Sequence, residues 1–468
     1  MQCTKQAKML LGELSRAGFS SFLVGGCVRD SLMGMIPHDE DITTSAKPEE
    51  VMELFSSQYK VVETGMKHGT VTVLVDGIPF EITTMRTESG YDDNRHPNQV
   101  SFVRDVVEDL SRRDFTINAI AWNADGLVDP FEGQRDLNEK VIRAVGDPNQ
   151  RFQEDALRVM RAVRFQAQFG FSIDSATREA IINHSHLIQN ISKERIRDEM
   201  TKILVSSHPE CFGLLHDYGL LPFISEEIDH IFGCEQNNDF HCYDVGGHTL
   251  VALENIEPDL VLRTTMLLHD VGKPICKVQK NGRDHFYRHP EVSARIAEAF
   301  LKEYRFTNKD IRNIVDLIQN HDMLGTLWES RKPDKKIRRF LLEHHDKDDQ
   351  FFLNFIKVKR ADYLAHNLRH EMAPLGKAYL DHIEETIRKY VGPERLPRQI
   401  KELAIDGHDI LAEGVQPKHV KAIQLRLLRI VLDKPEQNTK EALKSYVKTE
   451  YKQLNHQLRT SRRDTESV

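Results

Sequence analysis

The spacing of apolar residues changes near residue 150, and this change constrains the fold more than any other feature of the chain. Up to residue 145, strand-like runs alternate with helical segments. Thr70–Val75 and Phe80–Thr84 are rich in β-branched residues, and Asp76-Gly77 between them indicates a hairpin. From Arg151 onward the pattern is almost wholly helical. The sequence therefore predicts an α+β fold, in which an amino-terminal head with a mixed sheet and helices precedes a mostly α-helical body.

Charge and cysteine content exclude several classes of protein. The net charge of −8 over 468 residues argues against a surface that binds nucleic acid indiscriminately, although the local segments 331–339 and 448–463 are basic. The six cysteines lack Cys-x-x-Cys spacing, so neither a zinc ribbon nor a disulfide framework is expected. No apolar stretch has membrane-spanning length, and the first residues form an amphipathic rather than a secretory segment. We therefore expect a cytoplasmic protein that does not bind a membrane.

A glycine pair marks the first candidate site. The apolar run Phe22–Val24 predicts a buried strand, and it ends in Gly25-Gly26 before a helical pattern over Cys27–Met35. A glycine turn that opens a helix leaves backbone N–H groups free for phosphate, and Arg29 adds positive charge. Gly25, Gly26 and Arg29 are therefore candidate nucleotide-binding residues.

Two aspartates follow this turn closely. In an extended segment Asp39 and Asp41 lie on one face, while Glu40 points away. Neighbouring carboxylates repel each other unless a cation lies between them, and Mg²⁺ is the usual cation where phosphates are handled. Glu81, in the strand that begins at Phe80, is a candidate third carboxylate, with an exposed strand residue as the alternative.

Further along the head, charged segments surround the candidate site. Arg86–Pro97 is polar and contains glycine, so it predicts a mobile surface loop. Arg112 and Arg113 precede an apolar run and are suited to holding a triphosphate by forked hydrogen bonds.

The segment Glu154–Phe165 reads as one helix with a charged stripe. Its charged residues recur every third position: Asp155, Arg158, Arg161 and Arg164. The simpler interpretation is a solvated face with ion pairs. The alternative is base recognition, because a carboxylate accepts from an exocyclic amine while a guanidinium donates to the adjacent ring acceptor. Cytosine and adenine offer that edge, whereas guanine and uracil present the reverse.

Several segments, in chain order, resemble the successive motifs of the bacterial (class II) tRNA nucleotidyltransferase/poly(A) polymerase family. They are GGCVRD, DEDITT, RRDFTINA and EDALRVMRAVRF, with ERIRDE following at 194–199. The resemblance implies a polymerase-β-like head with Mg²⁺ on Asp39 and Asp41. It further implies nucleotide contacts from Gly26, Arg29 and Arg113, base recognition by Asp155 and Arg158, and support of the nucleotide by Arg161 and Arg164.

A second constellation lies downstream. His248 begins an amphipathic helix, His269-Asp270 ends an apolar one, and Asp362 lies in KRADYLAHN. This order resembles the HD phosphohydrolase pattern, in which helices present such groups to one divalent metal; His289 and His321 would extend the site. Imidazole and carboxylate together suit Mn²⁺, Ni²⁺, Zn²⁺ or Mg²⁺. The implied role is phosphodiesterase or phosphatase action on RNA ends, with an idle scaffold as the alternative.

These features together predict template-independent addition of CCA to tRNA 3′ ends from CTP and ATP, with pyrophosphate release by a two-metal mechanism. The alternatives are an A-adding enzyme or poly(A) polymerase of the same superfamily, or mainly an HD phosphohydrolase with an RNA-binding head. The segment Arg86–Pro97 resembles the flexible loop of enzymes that add the terminal A, and Ile405–Leu411 resembles the tRNA-binding tail of the family. We expect four domains: a catalytic head (1–145), a helical neck that recognises the base and binds RNA (146–225), an HD-type domain (226–385) and a tRNA-binding tail (386–468).

Overall fold

The structure is a computed structural model, and it describes residues 3–63, 65–66, 69–91, 94–95, 97–325, 333–392, 397 and 399–465, with side chains up to residue 454. Two compact units are present. The first contains residues 1–233, 258–264 and 298–307, and the second contains residues 234–257, 265–297 and 308–468.

A seven-stranded sheet forms the centre of the first unit. Its strands lie in the order β3-β4-β5-β2-β1-β8-β9, with β2 and β5 parallel and the other neighbours antiparallel. The strands are β1 (Ser21–Val24), β2 (Ile42–Thr44), β3 (Lys60–Val62), β4 (Thr70–Val75), β5 (Ile78–Thr84), β8 (Ala121–Asn123) and β9 (Gly126–Val128). The α+β class predicted from the sequence is confirmed.

Local sequence explains the β4–β5 hairpin. Asp76 and Gly77 both have positive φ angles, 52° and 81°, which suits the tight turn that follows the right-handed twist of paired strands. Val71 and Val73 of β4 are fully buried, and they pack in a cluster with Leu10 of the first helix. This apolar cluster covers the buried face of the sheet.

Four short strands lie outside the central sheet in the described residues of the first unit. They are β6 (Arg86–Tyr91) with β7 (Pro97–Phe102), which pair antiparallel, and β10 (Val141–Ile142) with β11 (Ser172–Ile173), which pair parallel. The segment Arg86–Pro97, predicted to be a loop, therefore belongs largely to a β-hairpin; residues 92, 93 and 96 lie outside the described part. The prediction failed because composition alone does not reveal a partner strand in the segment that follows.

The first unit also contains twelve helices within its described residues. They are α1 (Lys5–Arg16), α2 (Gly26–Leu32), α3 (Pro48–Phe55), α4 (Val106–Ser111), α5 (Gly133–Glu139), α6 (Pro148–Glu154), α7 (Leu157–Phe169), α8 (Ser175–His184), α9 (Lys193–Leu204), α10 (Leu214–Asp217), α11 (Leu221–Ile224) and α12 (Glu226–Asp229).

The segment Glu154–Phe165 is interrupted rather than continuous. Helix α6 ends at Glu154, Asp155 is extended (φ −139°, ψ 104°), and α7 begins at Leu157. The N–H of Ala156 donates to the carbonyl of Asn94, and the Asn94 amide donates to the Gln153 carbonyl. The prediction of a single helix is thus wrong. The periodic spacing of the charged side chains continues across the break, whereas the backbone groups at the break bond to Asn94, which lies between β6 and β7.

The second unit is mostly helical. Its helices are α13 (Val245–Glu254), α15 (Lys273–Cys276), α17 (Asn308–Asn320), α18 (Pro333–Glu343), α19 (Asp349–Leu364), α20 (Ala373–Val391), α21 (Gly407–Ala412), α22 (Val420–Asp433) and α23 (Lys440–Thr465). Two helices, α14 (Leu260–Leu268) and α16 (His289–Glu303), contribute residues to both units. One antiparallel hairpin joins β12 (Lys277–Lys280) to β13 (Arg283–Phe286). Within the described chain, no helix is both long enough and apolar enough to cross a bilayer.

Candidate functional sites

The glycine turn lies directly under an arginine. Gly25 has a φ of 76°, and a Cβ at this position would lie 2.9 Å from Nη1 of Arg113. The positive φ favours glycine at this position, and the absence of a side chain allows the guanidinium to lie close to the turn. Arg113 is also near the buried Asp109, with 3.6 Å between Nη2 and Oδ2, while its buried Nε has no hydrogen-bond partner.

Arg29 is tied to two elements of the first unit. Its Nη1 donates to Oδ1 of Asn118 at 2.7 Å, and its Nη2 lies 2.7 Å from Asp30. The guanidinium also lies over the ring of Phe169 on α7, 4.8 Å from the centroid. Arg29 thus links the glycine turn to α7. The sequence predicted only a phosphate contact for this residue, and not this link.

The three candidate carboxylates of the head gather at one end of the sheet. Ile42 pairs with Ile82 in parallel register, so Asp41 and Glu81, each one residue earlier, are neighbours. Desolvation by the surrounding protein, together with the charges of Asp39 and Glu81, raises the pKa of Asp41 to about 6. The crowding of negative charge fits a divalent cation. Among the described residues, however, these three side chains do not form a group with ligand atoms all within 4.8 Å.

Glu40 lies between the two aspartates and points the other way. Asp39 and Asp41 are exposed, whereas Glu40 is buried. The backbone N–H of Thr4 donates to Oε1 of Glu40 at 2.9 Å, and the Thr4 hydroxyl donates to Oε2. The alternation predicted for this segment is therefore present, although β2 itself begins only at Ile42.

Asp155 is paired with an arginine from another helix. Arg195 of α9 donates from Nη2 to Oδ2 of Asp155 at 2.9 Å and from Nη1 to Oδ1 at 3.3 Å. The N–H of Leu157 also donates to Oδ1 at 3.1 Å, so the Asp155 carboxylate accepts from the first residue of α7. Asp155 and Arg158 consequently lie on either side of a helix break, rather than one turn apart on a single helix.

The three arginines of α7 each have a partner, so they do not form a solvated stripe. Arg158 donates to Glu154 (2.9 Å) and to the carbonyl of Arg112 (2.7 Å). Arg161 donates to Asp114 (2.7 Å), and Arg164 donates to Glu199 (2.5 Å). These contacts join α7 to the head and to α9.

The ion pair with Arg161 strongly affects the pKa of the buried Asp114. Burial alone would raise the pKa of Asp114, but Arg161 and the Asn118 amide outweigh it and hold that pKa well below its usual range. Sequence reasoning did not identify Asp114, Glu154 or Arg195 as site residues. Asp114 and Arg195 lie in the quoted RRD and ERIRDE segments, but their pairings span 47 and 40 residues and require the folded chain. Glu154 pairs with Arg158 only four residues away, so that contact is local.

The second unit brings together all the histidines and aspartates predicted for the HD pattern. His248, His269, Asp270 and Asp362 present one ligand atom each, all within 4.8 Å of one another. Asp270, His289 and His321 form another group by the same measure. These residues lie on α13, in the segment after α14, at the start of α16, directly after α17 and on α19.

Lys273 was not predicted, and it contacts this cluster through Asp270. Its Nζ is 2.7 Å from Oδ2 of Asp270 and 2.8 Å from Oε1 of Gln236. The His-Asp-x-x-Lys spacing, which returns to the same helical face after three residues, was the available signal.

Charge pairing outweighs burial at His269 and Asp270, whereas burial lowers the pKa of His321 to about 3. Burial opposes protonation of His269, but Asp270 and Asp362 outweigh burial and raise the pKa of His269 to about 10. Burial works against ionisation of Asp270, yet His269 and Lys273 keep its pKa well below the usual range. A metal ion would displace the proton of His269, so its binding releases protons. Buried imidazoles and carboxylates of this kind fit a divalent cation.

A cavity of about 540 Å³ opens onto the cluster within the second unit. Asp270, His289 and His321 form part of its wall, together with Lys273 and Arg288. Its volume is in the range of small-molecule sites.

A basic groove lies elsewhere in the second unit. Lys335, Arg338 and Arg339 of α18 and Arg429 of α22 line a cavity of about 380 Å³, together with the acidic residues Glu343 and Asp433. Residues 331 and 332 of the predicted basic segment 331–339, and the side chains from residue 455 onward in the segment 448–463, lie outside the described part of the structure.

Family models match three consecutive parts of the chain. The Poly A polymerase head domain matches residues 21–143, the probable RNA and SrmB-binding site of polymerase A matches residues 170–232, and the HD domain matches residues 238–367. The order of these matches agrees with the order of the motifs along the sequence.

Similar proteins extend the match to most of the chain. The CCA-adding enzyme of Enterococcus faecalis is 35% identical over 418 residues, which cover 86% of this chain and 92% of that protein. The CCA-adding enzyme of Lactobacillus delbrueckii subsp. bulgaricus is 55% identical over 199 residues, so the chain spans half the length of that relative. A solved structure of the Bacillus stearothermophilus CCA-adding enzyme in complex with CTP has a TM-score of 0.71 and 27% identity, and the match covers 98% of this chain and all of that one. The chain therefore belongs to the family of CCA-adding enzymes.

Proposed function

We propose that this protein adds CCA to tRNA 3′ ends from CTP and ATP and releases pyrophosphate. The observation that carries the proposal is the placement of Asp39, Asp41 and Glu81 at one end of the head sheet, in a chain that belongs to this family. The tRNA 3′-hydroxyl oxygen attacks the α-phosphorus of the nucleotide, a new P–O bond forms, and the bond to the pyrophosphate leaving group breaks.

Asp39 and Asp41 are the residues that would hold Mg²⁺, with Glu81 beside them. A cation relieves the crowding that raises the pKa of Asp41. When bound, Mg²⁺ supplies charge neutralisation on the triphosphate and lowers the pKa of the attacking hydroxyl. Gly25 and Gly26 allow the guanidinium groups of Arg113 and Arg29 to approach the turn closely, and these two arginines would contact the triphosphate.

Asp155 and Arg158, which lie on either side of the helix break, would select the base. Oδ2 of Asp155 accepts one hydrogen bond from Arg195, and a carboxylate oxygen has two lone pairs, so it retains an acceptor for the amine of C or A. Arg158, held by Glu154, would donate to the neighbouring ring nitrogen. Arg161 and Arg164 fix α7 through Asp114 and Glu199. The protein itself then acts as the template.

The partner would be tRNA, and the basic groove of Lys335, Arg338, Arg339 and Arg429 provides positive charge for its backbone. Free cysteines at all six positions fit a cytoplasmic location. The four domains expected from the sequence (1–145, 146–225, 226–385 and 386–468) would then correspond to catalysis, base recognition, HD chemistry and tRNA binding.

The experiment that tests this proposal supplies the pure protein with tRNA ending at the discriminator base and with each nucleoside triphosphate separately. We expect C addition from CTP alone, A addition only after two C residues, and no extension by UTP or GTP. Addition of A alone to tRNA that already ends in CC would identify an A-adding enzyme. Long A tails on unrelated RNA would identify a poly(A) polymerase.

We further propose that the HD site hydrolyses phosphate esters at RNA ends. The observation that favours this second activity is the buried group of His248, His269, Asp270 and Asp362. The full chain would be assayed with 2′,3′-cyclic phosphates and phosphomonoesters in the presence of Mn²⁺, Ni²⁺, Zn²⁺ or Mg²⁺. We expect an activity that Asp270→Ala removes while CCA addition remains. Absence of hydrolysis with all four metals would assign a scaffold role to this domain.

A further inference from the structure

The hairpin β12–β13 and the two residues that follow it form a positively charged surface of the second unit. This segment contains one acidic residue, Asp284, and four cationic residues: Lys277, Lys280, Arg283 and Arg288. Asp284 is buried and lies 3.0 Å from Nζ of Lys277, so these two opposite charges offset each other within the hairpin. The segment therefore carries an excess of positive charge, in a chain whose net charge is −8.

The two arginines of this surface are exposed and only loosely paired. The side chains of Arg283 and Arg288 are 61% and 81% exposed. Arg283 lies 2.8 Å from Asp239, and Arg288 lies 3.6 Å from Glu291, both of them exposed carboxylates. Ion pairs between exposed side chains contribute little free energy, so both guanidinium groups can exchange these partners for a phosphate.

Two stacked rings lie beside these charges. His285 and Tyr287 are two residues apart along an extended segment, so their side chains share one face. Their rings are nearly parallel, with an interplanar angle of 4° and 5.4 Å between the centroids. Tyr287 is 59% exposed, so much of its ring remains accessible to solvent. An exposed aromatic ring flanked by cations is the arrangement on which unpaired nucleobases stack.

The backbone holds this surface in a defined shape. Asn281 and Gly282, between the two strands, have positive φ angles of 55° and 74°, which suit a tight hairpin turn. Arg288 has a φ of 61°, a left-handed conformation that is uncommon for a residue with a long side chain, and α16 begins at the next residue. The ring of Tyr287 and the Arg288 guanidinium are therefore carried by a regular hairpin and a sharp turn.

The space next to the hairpin suits a single strand. Tyr287 and Arg288 line the cavity of about 540 Å³, together with the partly exposed Phe240 and Leu368. A cavity of this volume has the size of a small-molecule site, so it has room for one nucleotide but not for a duplex. Stacking on Tyr287 likewise requires a base that is not paired.

We propose that the hairpin β12–β13, with Tyr287 and Arg288, is a binding surface for single-stranded RNA. A base stacks on the ring of Tyr287, and Arg283 and Arg288 contact the neighbouring phosphates. Among the described residues, no group of candidate metal ligands includes a residue of this surface. Binding here therefore requires neither nucleotide addition by the head nor hydrolysis by the buried cluster.

Photo-cross-linking locates the binding surface. The full chain is mixed with a six-nucleotide single-stranded RNA that carries 4-thiouridine, in EDTA so that no metal-dependent reaction occurs, and is then irradiated. We expect mass spectrometry to find a cross-link within residues 277–288, and the same RNA annealed into a blunt duplex to give none there. Cross-links confined to other parts of the chain would overturn the proposal, and equal cross-linking of the duplex would overturn stacking of an unpaired base.

Substitutions at Tyr287 test the stack. In Tyr287→Ser the RNA concentration that gives half-maximal cross-linking to the hairpin should rise roughly 5- to 150-fold, which corresponds to the loss of one base–aromatic stack. Tyr287→Phe keeps the ring and should keep the affinity. The sedimentation coefficient of the RNA-free chain should be the same in all three proteins. If Tyr287→Ser instead yields a smaller species and binds RNA as before, this surface joins two copies of the chain, and the proposal is wrong.

Substitution of Arg288 tests the phosphate contact. Arg288→Ala should weaken cross-linking to the hairpin, and the slope of log affinity against log salt concentration should become shallower by about 0.7, the value for one lost phosphate contact with a single strand. Lys377→Ala is the matched control, because Lys377 also belongs to the second unit, is 66% exposed and pairs with a carboxylate, Asp381. It should leave affinity and slope unchanged. Equal losses in both variants would show a general effect of charge and overturn the contact.

Discussion

The two candidate sites of this chain differ in how closely the fold brings their candidate metal ligands together. In the head, Asp39 and Asp41 are exposed, and with Glu81 they do not form a group with all ligand atoms within 4.8 Å. In the second unit the corresponding atoms do lie within 4.8 Å, and each histidine is held by a backbone carbonyl.

This difference has a chemical meaning. A buried set of imidazoles and carboxylates is costly to form without a cation, so such a set favours binding of a metal in the free protein. An exposed pair of carboxylates supplies only part of the oxygen ligands that Mg²⁺ prefers, so the triphosphate must supply more. We infer that the HD site is preorganised and that the head site is completed by its substrate.

The largest expected effect is on nucleotide addition, and it distinguishes the head site from the cluster of the second unit. Asp41→Ala should reduce nucleotide addition on the order of a thousandfold or more, because several kcal/mol of transition-state stabilisation by the cation is lost. Single-turnover incorporation of CTP measures the loss. The amount of Mn²⁺ bound by the second unit should not change in this variant. Addition at a rate near that of the unaltered protein would refute the assignment of Asp41.

A smaller effect concerns the choice of base. Asp155→Ala removes an acceptor that a wrong base leaves unpaired, at a cost of roughly 1–3 kcal/mol, so discrimination against UTP and GTP should fall roughly 5- to 150-fold. Incorporation ratios among the four nucleotides measure this. Arg195→Ala is the matched control, since it releases Asp155 without removing its carboxylate, and its effect should be weaker. Unchanged ratios in Asp155→Ala would mean that Asp155 serves only the helix break.

The pH dependence of addition should be moderate and should depend on Mg²⁺. Because the pKa of Asp41 is raised to about 6, a proton competes with the cation as pH falls through that value. At limiting Mg²⁺ the CTP addition rate should therefore drop below a midpoint near pH 6, and saturating Mg²⁺ should move the midpoint to lower pH. The exposed Glu179→Gln variant should share both midpoints. A midpoint that does not change with the Mg²⁺ concentration would rule out this competition.

The smallest effect is on stability. The pKa of Asp41 in the folded chain lies above its unfolded value of about 3.9, so ionisation of this group costs folding free energy above about pH 6, and the cost vanishes as pH falls toward 3.9. Asp41→Asn should therefore raise the melting temperature of the Mg²⁺-free protein at neutral pH, by about a degree or two. The gain is small because Asp41 is exposed. Calorimetry at pH 7 and near pH 4 measures it, with Glu179→Gln as the reference; equal gains at both pH values would contradict the explanation.

Local pattern was sufficient to predict much of the head and of the HD cluster. The strands Thr70–Val75 and Ile78–Thr84 with their Asp76-Gly77 turn are dictated by neighbouring residues, so the sequence shows them directly. The order of His248, His269, Asp270 and Asp362 likewise identified a group that the fold brings together.

Pairings distant in sequence were not predictable in the same way. The break at Asp155 depends on Asn94 and Arg195, and the hairpin that begins at Arg86 depends on a partner strand ending at Phe102. An i, i+3 pattern of charge looks the same on a continuous helix and across a break, so only the tertiary partners distinguish the two.

The contact between Thr4 and Glu40 has a practical consequence for how this protein is produced. Thr4 caps α1 by accepting from the N–H of Ala7, and its own N–H and hydroxyl hold the glutamate between Asp39 and Asp41. A shortened version that starts after Thr4 would release Glu40 from its buried position, and the flanking aspartates would lose their orientation. Affinity tags and fusion partners are therefore best attached with the first residues intact, since trimming this end alters the segment that carries Asp39 and Asp41.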